Sequence, residues 1–164
     1  MKFLMNKLEW IIDRFCTILL TLMVIVCFIQ VINRYVFGQA FFWAEELTLY
    51  ALIWITFLGA AIAVRQEAHT RIDFFVNLLP PKGVKIMNLI ANFLCLIYVL
   101  TISYLSITVV KMGLRIISIG LQIPKGIAFL ALPVGGLLMA TYLALRIIEQ
   151  IRSFNTIDEG GSSR

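Results

Sequence analysis

FCTILLTLMVIVCFIQVIN, residues 15–33, runs for nineteen positions without a charged side chain. As a helix it is roughly 28 Å long, close to the ~30 Å hydrocarbon thickness of a bilayer. Only Thr, Cys, Gln and a terminal Asn interrupt the apolar run, whereas a surface helix of a soluble protein carries a charged face. Three further uncharged stretches, 47–64, 86–110 and 126–145, read the same way. The chain is therefore predicted to be an all-α integral membrane protein of four transmembrane helices, with spans at about 15–37, 43–65, 86–110 and 124–147.

Composition agrees. Hydrophobic residues make up 61% of the 164 positions and charged residues 14%, against roughly 45–50% and 25% in soluble domains. Four spans in a membrane domain of residues 15–149 leave no room for a separate soluble domain, so any activity belongs to the helices, their short loops or a partner. The net charge of +5 comes from basic residues that flank the spans. They form no stripe on a polar surface, which argues against a nucleic-acid partner. Lys2, Lys7, Arg14, Arg65, Arg71, Lys82, Lys85, Arg146, Arg152 and Arg164 fall on one side, and Arg34, Lys111, Arg115 and Lys125 on the other. Ten against four predicts that both termini are cytoplasmic. No small-residue cleavage site follows the first span, so it is expected to stay as an anchor. Cys16, Cys27 and Cys95 all lie within spans and form no Cys-x-x-Cys pair, so a disulfide framework or thiol-redox motif is not supported.

Outside the spans, residues 1–14 alternate Leu8, Ile11 and Ile12 with Lys7, Glu9 and Asp13 around Trp10, the pattern of an N-terminal helix lying on the cytoplasmic membrane surface. Residues 66–81 read as a second interfacial segment, polar and then apolar until Pro80-Pro81 stops it. The tail 150–164 has a Gly-Ser-rich end and is expected to be disordered. The connection from Lys111 to Pro124 carries Leu114, Ile116, Ile117, Ile119, Leu121 and Ile123, too apolar for a solvated loop; it is expected to rest on lipid or on a partner. Pro124 should open span four and Pro133 should kink it.

Helical spacing divides span two into two faces. Glu45, Thr48, Leu52, Thr56, Gly59 and Ala63 are expected to pack within the helix bundle, because small residues and hydroxyls suit close helix contacts. Trp43, Tyr50, Trp54 and Phe57 form the opposite, aromatic face and are the candidates for a subunit interface. Asn88, Asn92, Cys95, Ser103 and Ser106 in span three, and Gly136, Ala140 and Ala144 in span four, are further packing faces. At the outer end, Arg34 faces Glu45 and Glu46 across a short turn through Gly38, a candidate structural ion pair. Arg65, His69 and Asp73, spaced by four, form a candidate polar cluster at the cytoplasmic surface. A single His and scattered cysteines supply no metal site, haem ligation or catalytic nucleophile, so neither cofactor nor enzymatic activity is expected.

Arg34-Tyr35 closing span one, Trp43-x-Glu45-Glu46-Leu47 opening span two and Phe57-Leu58-Gly59-Ala60-Ala61 ending it are followed by Arg65, His69, Asp73 and Leu79-Pro80, then by Ile123-Pro124 and Leu132-Pro133 around span four. In order and spacing this resembles the small membrane subunit of tripartite ATP-independent periplasmic (TRAP) transporters over nearly the whole chain. The resemblance implies a multi-pass protein of a bacterial or archaeal cytoplasmic membrane. It also implies two protein partners besides lipid: a much larger multi-span subunit that carries the substrate and sodium sites, and a periplasmic binding protein that delivers an organic acid such as a C4-dicarboxylate or sialic acid. The small subunit would then be a scaffold. Two other classes fit less well. A stand-alone four-span transporter would carry an acidic residue in mid-span one, and a membrane redox subunit would need paired His ligands or reactive Cys pairs.

Overall fold

A computed structural model of the chain describes residues 2–38, 41–66 and 81–160. The helices are α1 (Lys2–Val36), α2 (Phe42–Gln66), α3 (Pro81–Gly113), the short α4 (Gly126–Phe129) and α5 (Ala131–Gly160). Four segments, Lys7–Val36, Phe42–Arg65, Ile86–Gly113 and Gly126–Arg152, are long and apolar enough to cross a membrane. They lie close to the spans expected from the sequence.

The spans form a row in the order α1, α2, α5, α3, not a closed bundle. The sequence pattern of each helix explains its place. Toward its neighbour α1 turns one stripe, Ile12, Cys16, Leu19, Met23, Val26 and Gln30, which suffices for a single partner. Likewise α3 presents Asn92, Leu96, Val99, Ser103, Ser106 and Val110 on one side. The central helix α5 uses adjacent glycines to meet two neighbours. A Cβ on Gly135 would stand 2.7 Å from the Cβ of Phe57 in α2, whereas one on Gly136 would run into Ser103 of α3. Helix association in lipid depends on such close backbone approach, because apolarity alone gives no preference for protein over acyl chains. The edge and the centre differ accordingly: 6% of the most apolar window of the first span is buried, against 39% in the fourth.

Several expectations are corrected. Residues 1–14 were expected to form a separate surface helix, but α1 is continuous from Lys2 to Val36. The change from amphipathic to apolar sequence at residue 15 contains neither Gly nor Pro, and a change of polarity alone does not break a helix. The tail expected to be disordered is helical as far as Gly160. The helix is interrupted at Leu130, between α4 and α5, in the turn that precedes Pro133. A proline ring clashes with the carbonyl four residues before it, here that of Phe129, so the irregularity precedes the proline. The interfacial segment 66–81 lies almost wholly outside the described residues, which resume at Pro81.

The faces of α2 are also not those expected. Glu45, Leu52, Thr56 and Ala63 are exposed, and a Cβ on Gly59 would meet nothing within 4 Å. The buried stripe is Ala44, Ala51, Leu58 and Ala61. Thr48 does stand at the α1 contact, 3.8 Å from Cys27, but the hydroxyls are satisfied within their own helix, Thr48 donating to the carbonyl of Ala44 at 2.7 Å and Thr56 to that of Leu52 at 2.8 Å. A threonine bonded in this way needs no partner from another helix and tolerates lipid.

Candidate functional site

Both ends of the helix row are closed by polar links. At the end joining α1 to α2, the chain leaves α1 at Val36 and turns through Gly38, whose φ of 66° is left-handed and suits glycine. Residues 114–125 form a small hairpin at the same end. Ile117 bridges Pro124, the Ser118 amide donates to the Ile123 carbonyl at 2.9 Å and the Lys125 amide to the Ile116 carbonyl at 2.9 Å.

Glu46, from the first turns of α2, latches this hairpin. The Ser118 hydroxyl donates to Oε2, as do the amides of Gly120 and Leu121, each at 2.9 Å, and the Ile119 amide reaches Oε1 at 3.2 Å. Successive amides pointing at one carboxylate form a concave anion-binding nest. Gly120 is required there, since a Cβ would stand 2.7 Å from the Trp43 amide nitrogen, 2.8 Å from Glu46 Oε2 and 2.8 Å from the Phe42 carbonyl carbon.

The expected pair of Arg34 with Glu45 or Glu46 is not formed. Glu45 accepts from Gln30 Nε2 at 3.2 Å, and Glu46 is taken by the hairpin. The reason is register. Cys27 meets Thr48 at 3.8 Å and Gln30 meets Glu45, so Arg34 stands about level with Phe41, one turn beyond the carboxylates. Arg34 is exposed.

The opposite end holds a second polar cluster. Arg65 of α2 pairs with Glu9 of α1, and its guanidinium lies 5.7 Å from the centre of the Tyr142 ring in α5. Arg146 Nη1 donates to the Val64 carbonyl at 3.5 Å, and Asn92 Nδ2 of α3 donates to Gln150 Oε1 of α5 at 3.1 Å. Each neighbouring pair in the row is thus tied at this end. Of the expected trio Arg65, His69 and Asp73, only Arg65 is among the described residues. A double-mutant cycle between Glu9→Gln and Arg65→Gln should give a coupling of about 1 kcal/mol, because both side chains keep partial solvent contact. Additive effects in that cycle would mean that the two ends of α1 and α2 are joined by apolar contact alone.

The aromatic stripe of α2 also turns inward in part. Trp54 meets Phe15 of α1 edge-on at 6.3 Å between ring centres, and Phe57 lies against Gly135 of α5. These two residues are therefore contacts within the chain and not a free subunit interface, because α2 sits between α1 and α5 and needs bulk on both flanks. Tyr50 is half-buried, and only Trp43, 42% exposed, is open to a partner. Among the described residues no three of His, Cys, Asp and Glu gather in one place. The arrangement holds helices and a loop together; it brings no reactive groups to a substrate.

Sequence reasoning missed Ser118, Gly120 and Glu9. The available signal for the first two was a Ser-x-Gly step inside an otherwise apolar loop, which marks a tight turn able to offer its amides.

Residues 23–153 match the family described as tripartite ATP-independent periplasmic transporters, DctQ component. A Haemophilus influenzae protein named as a TRAP transporter small permease is 30% identical over 151 residues, covering 92% of this chain and 94% of that protein. The isethionate TRAP transporter permease protein DctMQ of Oleidesulfovibrio alaskensis is 30% identical over 118 residues, 71% of this chain but 19% of that longer one. The C4-dicarboxylate TRAP transporter small permease protein DctQ of Vibrio cholerae is 32% identical over 76 residues, 46% of this chain and 33% of that one. With four apolar spans and a family match over most of its length, the chain belongs to the DctQ family, the small permease component of TRAP transporters, and is a multi-pass cytoplasmic-membrane protein and not an enzyme.

Proposed function

We propose that this chain is the non-catalytic small subunit of a sodium-coupled, binding-protein-dependent TRAP transporter, and that it acts as a scaffold for the large multi-span subunit that moves the solute. The observation that carries this reading is the open helix row. Two edge helices each bury one face, and the apolar surface left over suits a larger membrane partner as well as lipid. The relative named DctMQ, in which the matched stretch is a minor part of a longer permease chain, supports a partner of that kind. A transport path through this chain would need polar or ionisable groups inside the spans. Here the charged side chains stand at span ends.

The cargo is an organic acid of the C4-dicarboxylate or sialic acid class, delivered by a periplasmic binding protein. Relatives named for isethionate, sialic acid and C4-dicarboxylate transport all align with this chain, which supports placing substrate choice in the other subunits. Both termini face the cytoplasm, in line with the ten-to-four division of basic residues. The Glu46-latched hairpin then faces the periplasm. Arg65 then lies on the cytoplasmic side; His69 and Asp73, the other members of the expected polar cluster, lie outside the described residues.

Co-expression tests the scaffold role. An affinity tag on this chain should co-purify the large subunit of its own transporter, and Trp43→Ala should lower that yield about tenfold or more if this exposed ring anchors the interface. Purification of the tagged chain with no large subunit would contradict the scaffold reading. Unchanged yield in Trp43→Ala would remove only Trp43 from the interface.

A further inference from the structure

We propose that the 114–125 hairpin and the adjoining Lys111 form a docking surface for anionic phospholipid headgroups. The hairpin joins the third and fourth spans, which end at Gly113 and resume at Gly126, so it stands at the level where hydrocarbon gives way to headgroups. Four of its exposed side chains are aliphatic: Leu114, Ile116 and Ile117 are exposed, and Ile119 at the tip is 86% exposed.

The charge around these residues is of one sign. Lys111, in the last turn of α3, and Arg115, four residues further on, are exposed, and the half-buried Lys125 is held against the Ile116 backbone by the hydrogen bond of its amide to the Ile116 carbonyl at 2.9 Å. No acidic residue occurs between positions 111 and 125. The nearest carboxylates are already engaged, Glu46 by the hairpin amides and Glu45 by Gln30. Two exposed cations and the half-buried Lys125 therefore flank an apolar tip without a counter-charge among the described residues.

Apolar side chains inserted at the boundary, ringed by basic groups, are the pattern that binds anionic bilayers. A protein-binding hot spot would be expected to present Trp, Tyr or Arg anchors in a pocket. Here the tip is isoleucine, and the exposed aromatic residue Trp43 belongs to α2, with its backbone against Gly120, and not to the tip. The Glu46 latch gives the surface a fixed orientation, since it ties the hairpin to the start of α2 instead of leaving it free to fold back.

Trp43 is placed to report on this, because its amide nitrogen lies 2.7 Å from where a Gly120 Cβ would be. The full-length chain carrying Trp10→Phe and Trp54→Phe is reconstituted in nanodiscs containing phospholipid brominated on the acyl chains, either phosphatidylglycerol or phosphatidylcholine at equal mole fraction. Trp43 emission should be quenched about twofold more by the anionic lipid, from its local enrichment beside three basic groups. Lys111→Gln, Arg115→Gln and Lys125→Gln together should abolish the difference while leaving circular dichroism unchanged, and Arg115→Lys alone should keep it. Equal quenching by the two lipids, or a preference that survives in the triple variant, would overturn the proposal. So would loss of the preference on adding inorganic phosphate but not chloride of equal ionic strength, which would assign the cations to a free anion. Weakened binding of the periplasmic binding protein by the triple variant with quenching unchanged would make the surface a protein contact and overturn it equally.

Discussion

Glu46→Ala should release the hairpin from the helix row. Three backbone amides and the Ser118 hydroxyl converge on this carboxylate. Hydrogen bonds to a charged acceptor are stronger than neutral ones, and several that share one acceptor are lost together. Amide exchange at Ile119, Gly120 and Leu121 should rise by roughly tenfold or more, because the donors then protect only as well as local opening allows. Glu46→Gln should fall between, since the amide keeps one carbonyl acceptor but brings an NH2 group where the second oxygen accepted a bond. Gly120→Ala should reproduce the Glu46→Ala result by a different route, its Cβ colliding with backbone at Trp43 and Phe42. Exchange rates that do not change in Glu46→Ala would mean that the hairpin is held by its own internal hydrogen bonds, such as Ser118 to Ile123 and Lys125 to Ile116, and not by the latch.

Gly135→Leu should part the row at its centre. The Cβ alone would lie 2.7 Å from the Phe57 Cβ and 2.9 Å from the Phe57 carbonyl oxygen, and backbone cannot rotate aside as a side-chain end can. Overpacking a tight contact costs about 1–3 kcal/mol, and a branched side chain between two helices reaches the upper part of that range or exceeds it. Gly136→Ala should be milder, because the Ser103 hydroxyl in its way can turn to another rotamer. Thermal unfolding in detergent, read by circular dichroism, ranks the two. A Gly135→Leu protein as stable as the parent would show that α2 and α5 do not approach closely at this point.

The spans could be read from the sequence because the bilayer imposes length and polarity on each segment separately. Their order could not. Which helix neighbours which depends on complementary surfaces far apart in the chain, such as Gly135 against Phe57, and a glycine by itself does not name its partner. The faces of α2 were misassigned for a related reason. Alanines at 44, 51 and 61 and the small residues at 59 and 63 offer two surfaces of similar character, and only the neighbours decide between them.

The candidate site divides in the same way. Glu45 and Glu46 stood out as charges at a span end, yet their partners were wrong, because a shift of one helical turn replaced Arg34 with Gln30. The true partner of Glu46 lay 72 residues away, in a loop whose apolar character drew attention and whose amides, the groups that bind, leave no mark in the sequence. The spacing by four groups Arg65 with His69 and Asp73, which lie outside the described residues, whereas its ion-pair partner is Glu9 on α1.

In the proposed function this subunit supports transport without carrying it out. Proteoliposomes containing this chain alone, the chain with its large subunit, and both with the periplasmic binding protein, should be compared for uptake of labelled organic acid under an inward sodium gradient. Uptake confined to the complete set is the predicted result; sodium-driven uptake by this chain alone would contradict the account.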